Sequence, residues 1–238
     1  MKIALIGYGK MGIAIEEMAI QSGHYISFKI DKSNSEQIKE LSAENTDIAI
    51  EFSDPSSAVE NIVSCLNNGI PVVSGTTGWL EHWDKVETEC KRNKGTFFYA
   101  SNYSIGVNLF FKLNEYLAQL MKNQEYKVSM EEIHHTEKKD SPSGTAITLA
   151  KPILEARGLN EWINNKTDNP NQLGIVSKRE PGVPGTHTIT YSSEIDEIQM
   201  THTAYGRKGF AKGALSVAEW IVTTKTGGML SMQDFLKL

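Results

Sequence analysis

Residues 3–12 read IALIGYGKMG, and how this stretch is read decides the fold of the 238-residue chain. Four apolar residues, Ile3 to Ile6, end at a glycine, which is the signature of a short buried strand. Helical periodicity then runs from Met11 to Gln21 through Ile13, Ile15, Met18 and Ala19. Between strand and helix lies Gly7-Tyr8-Gly9-Lys10-Met11-Gly12, a match to G-x-G-x-x-G in the one context that gives the pattern meaning. Gly7 permits the tight turn, Gly9 admits a pyrophosphate close to the backbone, and Gly12 lets helix and strand pack. Free amides at the positive end of the helix favour the phosphates.

Such a loop asks for an acid at the end of the next strand, about 20 residues on. YISFKID (25–31) supplies Asp31, whose carboxylate is suited to the hydroxyls of an adenosine ribose and opposed to a 2′-phosphate. Lys32 and Lys10 are cations that suit the 2′-phosphate, so the expected cofactor is NADH, NADPH or both.

Outward from this unit the alternation continues. Strands are expected at 46–53, 70–75 and 95–101, with helices at 55–69 (Pro55 in its first turn) and 80–93. Near-continuously apolar strands alternating with helices indicate a parallel sheet covered on both faces. Two more small-residue loops fall at strand ends, where open α/β sheets bind ligands. Gly75-Thr76-Thr77 follows the fourth strand, and Ala100-Ser101-Asn102-Tyr103 the fifth; both are expected to take the nicotinamide half of the cofactor.

The rhythm then changes. A long helix (105–122), a strand (126–134), a helix (145–156) and strand-like segments from 171 to 203 follow, with polar loops at 164–171 and 180–186. THTITY alternates polar with apolar residues, as an antiparallel strand with one wet face does. A last helix, 211–224, ends at Gly227-Gly228. The expected class is α/β: an N-terminal doubly wound, Rossmann-like parallel sheet, then an α+β domain with a mixed or antiparallel sheet. The first domain is expected to span 1–103 and 211–238, the second 104–210.

Bulk properties narrow the partners. A composition of 39% hydrophobic and 22% charged residues is that of a globular chain, and a net charge of −5 gives no reason to expect nucleic acid. No apolar run approaches the roughly 18 residues of a membrane span. Cys65 and Cys90 form neither a disulfide framework nor a zinc pattern, and nothing in the spacing asks for a metal. A soluble, cytoplasmic protein is expected.

The second distinctive stretch is EIHHTEKKDSPSGTA (132–146). His134 and His135 close a strand, and an imidazole titrates near neutrality as a proton donor or acceptor does. Lys138 and Lys139 bring positive charge, Asp140 can fix the loop, and Pro142 stiffens it. Ser143 is placed to cap the next helix, leaving the amides of Gly144 and Thr145 for a carboxylate. Glu131 and Glu132 are read as serving the strand. His24, His82, His187 and His202 have no comparable neighbours in sequence and are assigned no chemistry.

GYGKMG, GTTG (75–78), ASNYSIGVN (100–108), EIHHTEKKDSPSGTA and RKGFAKGAL (207–215) together resemble the 4-hydroxy-tetrahydrodipicolinate reductase (dihydrodipicolinate reductase) family of bacterial lysine biosynthesis. The resemblance runs the length of the chain, and the His-His-x-x-x-Lys-x-Asp-x-Pro-Ser-Gly-Thr run is its specific part. It implies His134 and Lys138 as proton donors, His135 against the substrate, and Ser143, Gly144 and Thr145 on the carboxylates of a small dicarboxylate. It also implies a second domain that serves oligomerisation, and a homotetramer. The chain is shorter than many members. Without the resemblance, the residues fit two other readings: another two-domain dehydrogenase of an amino or hydroxy acid, or a dinucleotide sensor without turnover.

Overall fold

The computed structural model describes residues 1–206 and 208–237; Arg207 of the RKGFAKGAL stretch and Leu238 at the end of the expected first domain lie outside them. The chain divides into two compact units, one made of Met1–Ile105 with the C-terminal segment, the other of Gly106–Gly206.

In chain order the first unit contains β1 (Lys2–Ile6), α1 (Lys10–Gln21), β2 (Tyr25–Ile30), β3 (Ile48–Glu51), α2 (Pro55–Asn67), β4 (Val72–Ser74), α3 (Trp83–Arg92) and β5 (Thr96–Tyr99). Helix α4 (Ile105–Leu120) leads into the second unit, which holds β6 (Lys127–His134), α5 (Gly144–Arg157), β7 (Glu161–Ile163), β8 (Gln172–Arg179), β9 (Gly185–Ser192) and β10 (Glu197–Ala204). The chain then returns to the first unit with α6 (Lys208–Thr224), β11 (Gly228–Leu230) and α7 (Met232–Leu236).

The first sheet has the order β11-β5-β4-β3-β1-β2 and every pairing in it is parallel. Its inner strands are largely apolar because both faces are covered. Ile3 and Leu5 pack on one side with α1 and α6, Ala4 and Ile6 on the other with α2 and α3. Each fully buried Ile or Leu of these faces stabilises the fold by roughly 1.5–3 kcal/mol. Helix α6 carries Ala211, Gly213, Ala214 and Ala218 towards the sheet, and small residues are required there: a Cβ on Gly213 would stand 1.8 Å from the Tyr103 carbonyl oxygen. Chain order and sheet order part company beside β1, since β2 lies on one side of it and β3 on the other. That is the switch point at which ligands bind in such sheets.

The second sheet, β10-β9-β6-β8-β7, is mixed: β9 runs antiparallel to β10 and β6, while β8 is parallel to β6 and β7. One face packs under α4 and α5, with Phe110, Met130, Leu149, Ile153, Ile175 and Tyr191 in the core. The opposite face carries the threonines of β9 and β10, hydrogen-bonded across the strands (Thr188 to Thr201, 3.1 Å).

Several elements differ from the sequence-based expectation. Strand β7 has only three residues beside a polar loop, too short to alternate. β11 and α7 follow Gly227-Gly228, which reads as a stop; α7 is capped reciprocally by Ser231 and Asp234. β10 starts at Glu197 because Ser193–Asp196 forms the hairpin turn, closed by the Ser193 amide on the Asp196 carbonyl at 2.9 Å. Among the described residues, no helix is long and apolar enough to cross a membrane.

Candidate active site

Strand β6 alternates, and its buried positions are Met130, Glu132 and His134. Two polar residues on a buried face need partners, because an unpaired carboxylate or imidazole there is costly. The register provides them. Glu132 faces His187 across the antiparallel pair and Ser177 across the parallel one, and His134 faces Arg179. Glu132 is fully buried and accepts the Ser143 amide at 3.0 and 3.1 Å and the Ser177 hydroxyl at 2.9 Å. His134 Nδ1 and His187 Nε2 each stand 3.6 Å from its Oε2, and Arg179 stands 3.8 Å from its Oε1. The two imidazoles meet edge to face, 5.0 Å apart, and His187 Nε2 lies 3.1 Å from Ser143 Oγ. A Cβ on Gly185 would stand 3.1 Å from His134 Nε2, so the bare backbone there leaves the ring its room.

The expectation that His187 has no comparable neighbours is therefore corrected, and Glu132 does more than serve its strand. Both belong to the cluster around His134 and Ser143. The signal was in the alternation: His187 sits two residues before buried Ile189, on the inward face of β9. His24, by contrast, lies in the first unit and pairs with Glu219 at 2.8 Å. The donor atoms of Glu132, His134 and His187 fall within 4.8 Å of one another, with Ser143 and Ser177 hydrogen-bonded to members of the group.

The charges follow from these contacts. Burial by itself would raise the Glu132 carboxyl, but the approach of His187 and the hydrogen bonds of Ser143 and Ser177 outweigh it and hold it down to about 2. Burial pushes the His134 imidazole down to about 4; Glu132 opposes this, while His187, Lys138 and Arg179 add to it. His134 is thus neutral at pH 7 in the free protein. We expect one histidine ring to titrate near pH 4 by NMR of histidine-labelled protein; titration of every ring near 6.5 would refute this. The unfolded imidazole takes its proton at about 6.5, so stability falls as pH drops from there to about 4, a loss of roughly 3 kcal/mol.

The loop after β6 is pinned by Arg179, which donates to the Lys138 carbonyl (3.3 Å) and the Asp140 carbonyl (2.7 Å). Lys138 Nζ sits on both Asp140 carboxylate oxygens at 2.8 and 2.9 Å, while Lys139 is exposed. Ser143 caps α5, its Oγ accepting the Ala146 amide at 3.1 Å. The Gly144 and Thr145 amides take no partner among the described residues, and His135 Nδ1 is buried without one. The arrangement offers an anion two helix-start amides flanked by imidazoles and an ammonium.

In the first unit, the loops after β1, β2 and β3 line a pocket of about 360 Å³ that includes Gly7, Tyr8, Gly9, Asp31 and Lys32. Gly7 has φ +90°, and a Cβ there would stand 2.0 Å from the Phe52 carbonyl oxygen. A Cβ on Gly12 would stand 2.6 Å from the Gly7 carbonyl oxygen, whereas one on Gly9 would meet nothing within 4 Å. The loop is thus tight beneath and open above, as a pyrophosphate cradle must be. Asp31 is exposed and ionised, held low by the Ser33 hydroxyl and amide. Lys32 pairs with Asp54 at 2.9 Å, both largely in solvent, so the pair is weak and the lysine is free to swing. The Tyr8 hydroxyl bonds Glu16, Lys10 is exposed and Met11 packs on the core.

The loops after β4 and β5 reach the same side of this sheet, with mixed exposure. A Cβ on Gly75 would strike the Phe52 ring at 2.1 Å. Thr76 is buried, its hydroxyl bonding Glu51 (2.7 Å) and the Ser53 amide (2.8 Å). Tyr103 is buried and donates to the Ser74 carbonyl at 2.6 Å. These two side chains brace the strand ends, leaving only their backbone to face a ligand. Thr77 and Ser101 are exposed, Ala100 is buried, and Asn102 Oδ1 accepts the Ser104 amide at 2.8 Å.

Comparison with known proteins gives concordant matches. Residues 1–103 match the family profile described as dihydrodipicolinate reductase, N-terminus, and residues 106–236 that of dihydrodipicolinate reductase, C-terminus. The chain is 49% identical over 238 residues to the 4-hydroxy-tetrahydrodipicolinate reductase of Christiangramia forsetii, covering 99% of this chain and 98% of that one. Its identity to the Lawsonia intracellularis reductase is 34% over 262 residues, covering 99% of each. Among solved structures, the dipicolinate-bound dihydrodipicolinate reductase from Paenisporosarcina sp. TG-14 superposes with a TM-score of 0.78 at 22% identity, covering 98% of both chains.

Proposed function

The chain belongs to the dihydrodipicolinate reductase family, and from that premise we propose how its residues divide the reaction. Its activity is the NAD(P)H-dependent reduction of 4-hydroxy-tetrahydrodipicolinate in diaminopimelate and lysine biosynthesis. The observation that carries the residue assignment is the capped start of α5, whose Ser143 lies 3.1 Å from His187 and shares the Glu132 carboxylate with His134.

The solved relative binds dipicolinate, and a planar dicarboxylate of that class suits this seat. One carboxylate takes the amides of Gly144 and Thr145 and the Ser143 hydroxyl; His135 contacts the ring. Once the 4-hydroxyl has left as water to give the conjugated imine, the reduced nicotinamide, when bound, would supply the hydride that adds to it. His134 or Lys138 gives the proton that completes the reduction. A dianionic substrate raises the proton affinity of the buried His134, so the imidazole is charged when it is needed.

Gly7, Tyr8, Gly9, Lys10, Met11 and Gly12 would carry the pyrophosphate, and Asp31 the adenosine ribose, with Lys32 and Lys10 open to a 2′-phosphate. Gly75 to Thr77 and Ala100 to Tyr103 would lie along the nicotinamide half. We expect Asp31→Ser to weaken NADH binding more than NADPH binding, read by cofactor fluorescence titration. Equal losses would remove Asp31 from the ribose.

The second unit would serve the substrate and oligomerisation. Leu109, Leu113, Tyr116 and Leu120 stand exposed at helical spacing on α4, an apolar stripe suited to a subunit interface, which supports a homotetramer. A cytoplasmic location fits the reduced thiols Cys65 and Cys90.

Purified protein is tested for oxidation of NADH and NADPH separately, the substrate being generated in the cuvette from pyruvate and aspartate semialdehyde by the preceding synthase. Rapid synthase-dependent loss of reduced-cofactor absorbance is expected. Cofactor binding without turnover would refute the assignment.

A further inference from the structure

We infer that Glu132 and His187 are positioning residues for the reduction: Glu132 orients His134 and holds its protonated form, and His187 fixes the hydroxyl of Ser143. The inference rests on His134 and Ser143 being the acid and the carboxylate seat.

A fully buried carboxylate on a strand needs a reason, because Met130 two residues earlier fills the same face with an apolar side chain. The Ser143 amide and the Ser177 hydroxyl satisfy part of its hydrogen-bonding capacity. They do not account for two imidazoles converging on one oxygen, Oε2, at 3.6 Å each. His134 Nδ1 is buried and has no other partner among the described residues. A small turn of the ring brings Nδ1–H into hydrogen-bond range of Glu132 and leaves Nε2 to carry the proton delivered to substrate. This is the arrangement in which a buried acid fixes the tautomer of a working imidazole and stabilises its cation.

The other groups facing His134 all oppose that cation. They are His187 from β9, Lys138 from the loop after β6 and Arg179 from β8. Glu132, on the strand of His134 itself, is the sole anion among them. Removing its charge without changing its shape therefore makes His134 harder to protonate. His187 acts at the other end of the cluster. Its Nε2 lies 3.1 Å from the Ser143 Oγ that also caps α5, so it sets where that hydroxyl points.

The test uses the full chain with Glu132→Gln and His187→Gln. In ligand-free Glu132→Gln, the NMR midpoint of His134 is expected to fall by about one pH unit or more. Its kcat is expected to drop by roughly tenfold or more, with the acidic limb of the pH profile moved and NADH affinity unchanged. An unmoved His134 midpoint, or an acidic limb of the kcat profile left in place, overturns the role of Glu132. In His187→Gln, KM is expected to rise at least fivefold with kcat within about threefold, the mark of lost substrate binding; an unmoved KM overturns its role. Should Glu132→Gln not fold, His187→Gln decides for the pair. The His134 midpoint needs no turnover, so failure of the assigned reaction and failure of this inference are read separately.

Discussion

His134→Gln is expected to lower kcat by about 10²–10⁴-fold, the range supplied by a positioned general acid. Lys138→Ala is expected to do the same, and NADH affinity should stay near wild type in both. The first-unit pocket contains neither residue. Hydride addition to a conjugated imine leaves electron density that only a proton can quench, and these are the two groups proposed to supply it. Their roles differ in origin. Lys138 is a held cation, its ammonium fixed on Asp140 and its backbone fixed by Arg179. His134 is neutral in the free protein, and its protonation on substrate binding is part of the proposal. Steady-state rates on synthase-generated substrate, with cofactor affinity by fluorescence, check both. Wild-type turnover in both variants would refute the assignment.

Gly7→Ala is expected to cost roughly 2–5 kcal/mol of stability and to abolish measurable NADH binding. Two penalties coincide at this position: a backbone at φ +90° that L side chains rarely adopt, and a Cβ 2.0 Å from the Phe52 carbonyl oxygen. Backbone cannot yield as a side-chain tip can. Gly9→Ala separates fold from function, since its Cβ would meet nothing within 4 Å and its φ is −94°. That variant should fold as wild type does and still lose cofactor affinity, because the methyl fills the space above the loop. Denaturant midpoints and NADH fluorescence distinguish the two. Normal binding by Gly9→Ala would mean that the pyrophosphate does not approach there.

What the sequence displayed and what it hid have physical causes. The glycine loop was legible because strand, turn and helix are consecutive, and Gly7 and Gly12 meet steric demands that a Cβ would violate. The His134 to Thr145 run was legible for the same reason, since cap, cations and imidazoles are neighbours in the chain. His187 was hidden because its partner Glu132 is 55 positions away, and only the antiparallel register of β6 and β9 brings them together. Thr76 and Tyr103 show the reverse. Their places at strand ends suggested contact with a ligand, yet tertiary packing turns both hydroxyls inward, onto Glu51 and the Ser74 carbonyl. Local sequence reveals which chemistry is available at a loop, and the packing around it decides which atoms are left to use.

The return of α6 and β11 to the first unit also bears on how the chain is made. A ribosome delivers residues 106–206 as one uninterrupted segment, able to complete its own core as soon as it emerges. The first unit is in the opposite position. Its glycine loop is translated first, but one face of its sheet has only α1 over it until Ala211, Ala214, Leu215, Val217, Ala218 and Ile221 arrive to complete the cover. Domains generally fold in the order of synthesis; here the residues that complete the first unit's core are translated after the whole of the second unit. A transcript cut short before residue 208 yields a chain with every proposed catalytic side chain and a nucleotide sheet half covered on one face, a natural substrate for chaperones and proteases.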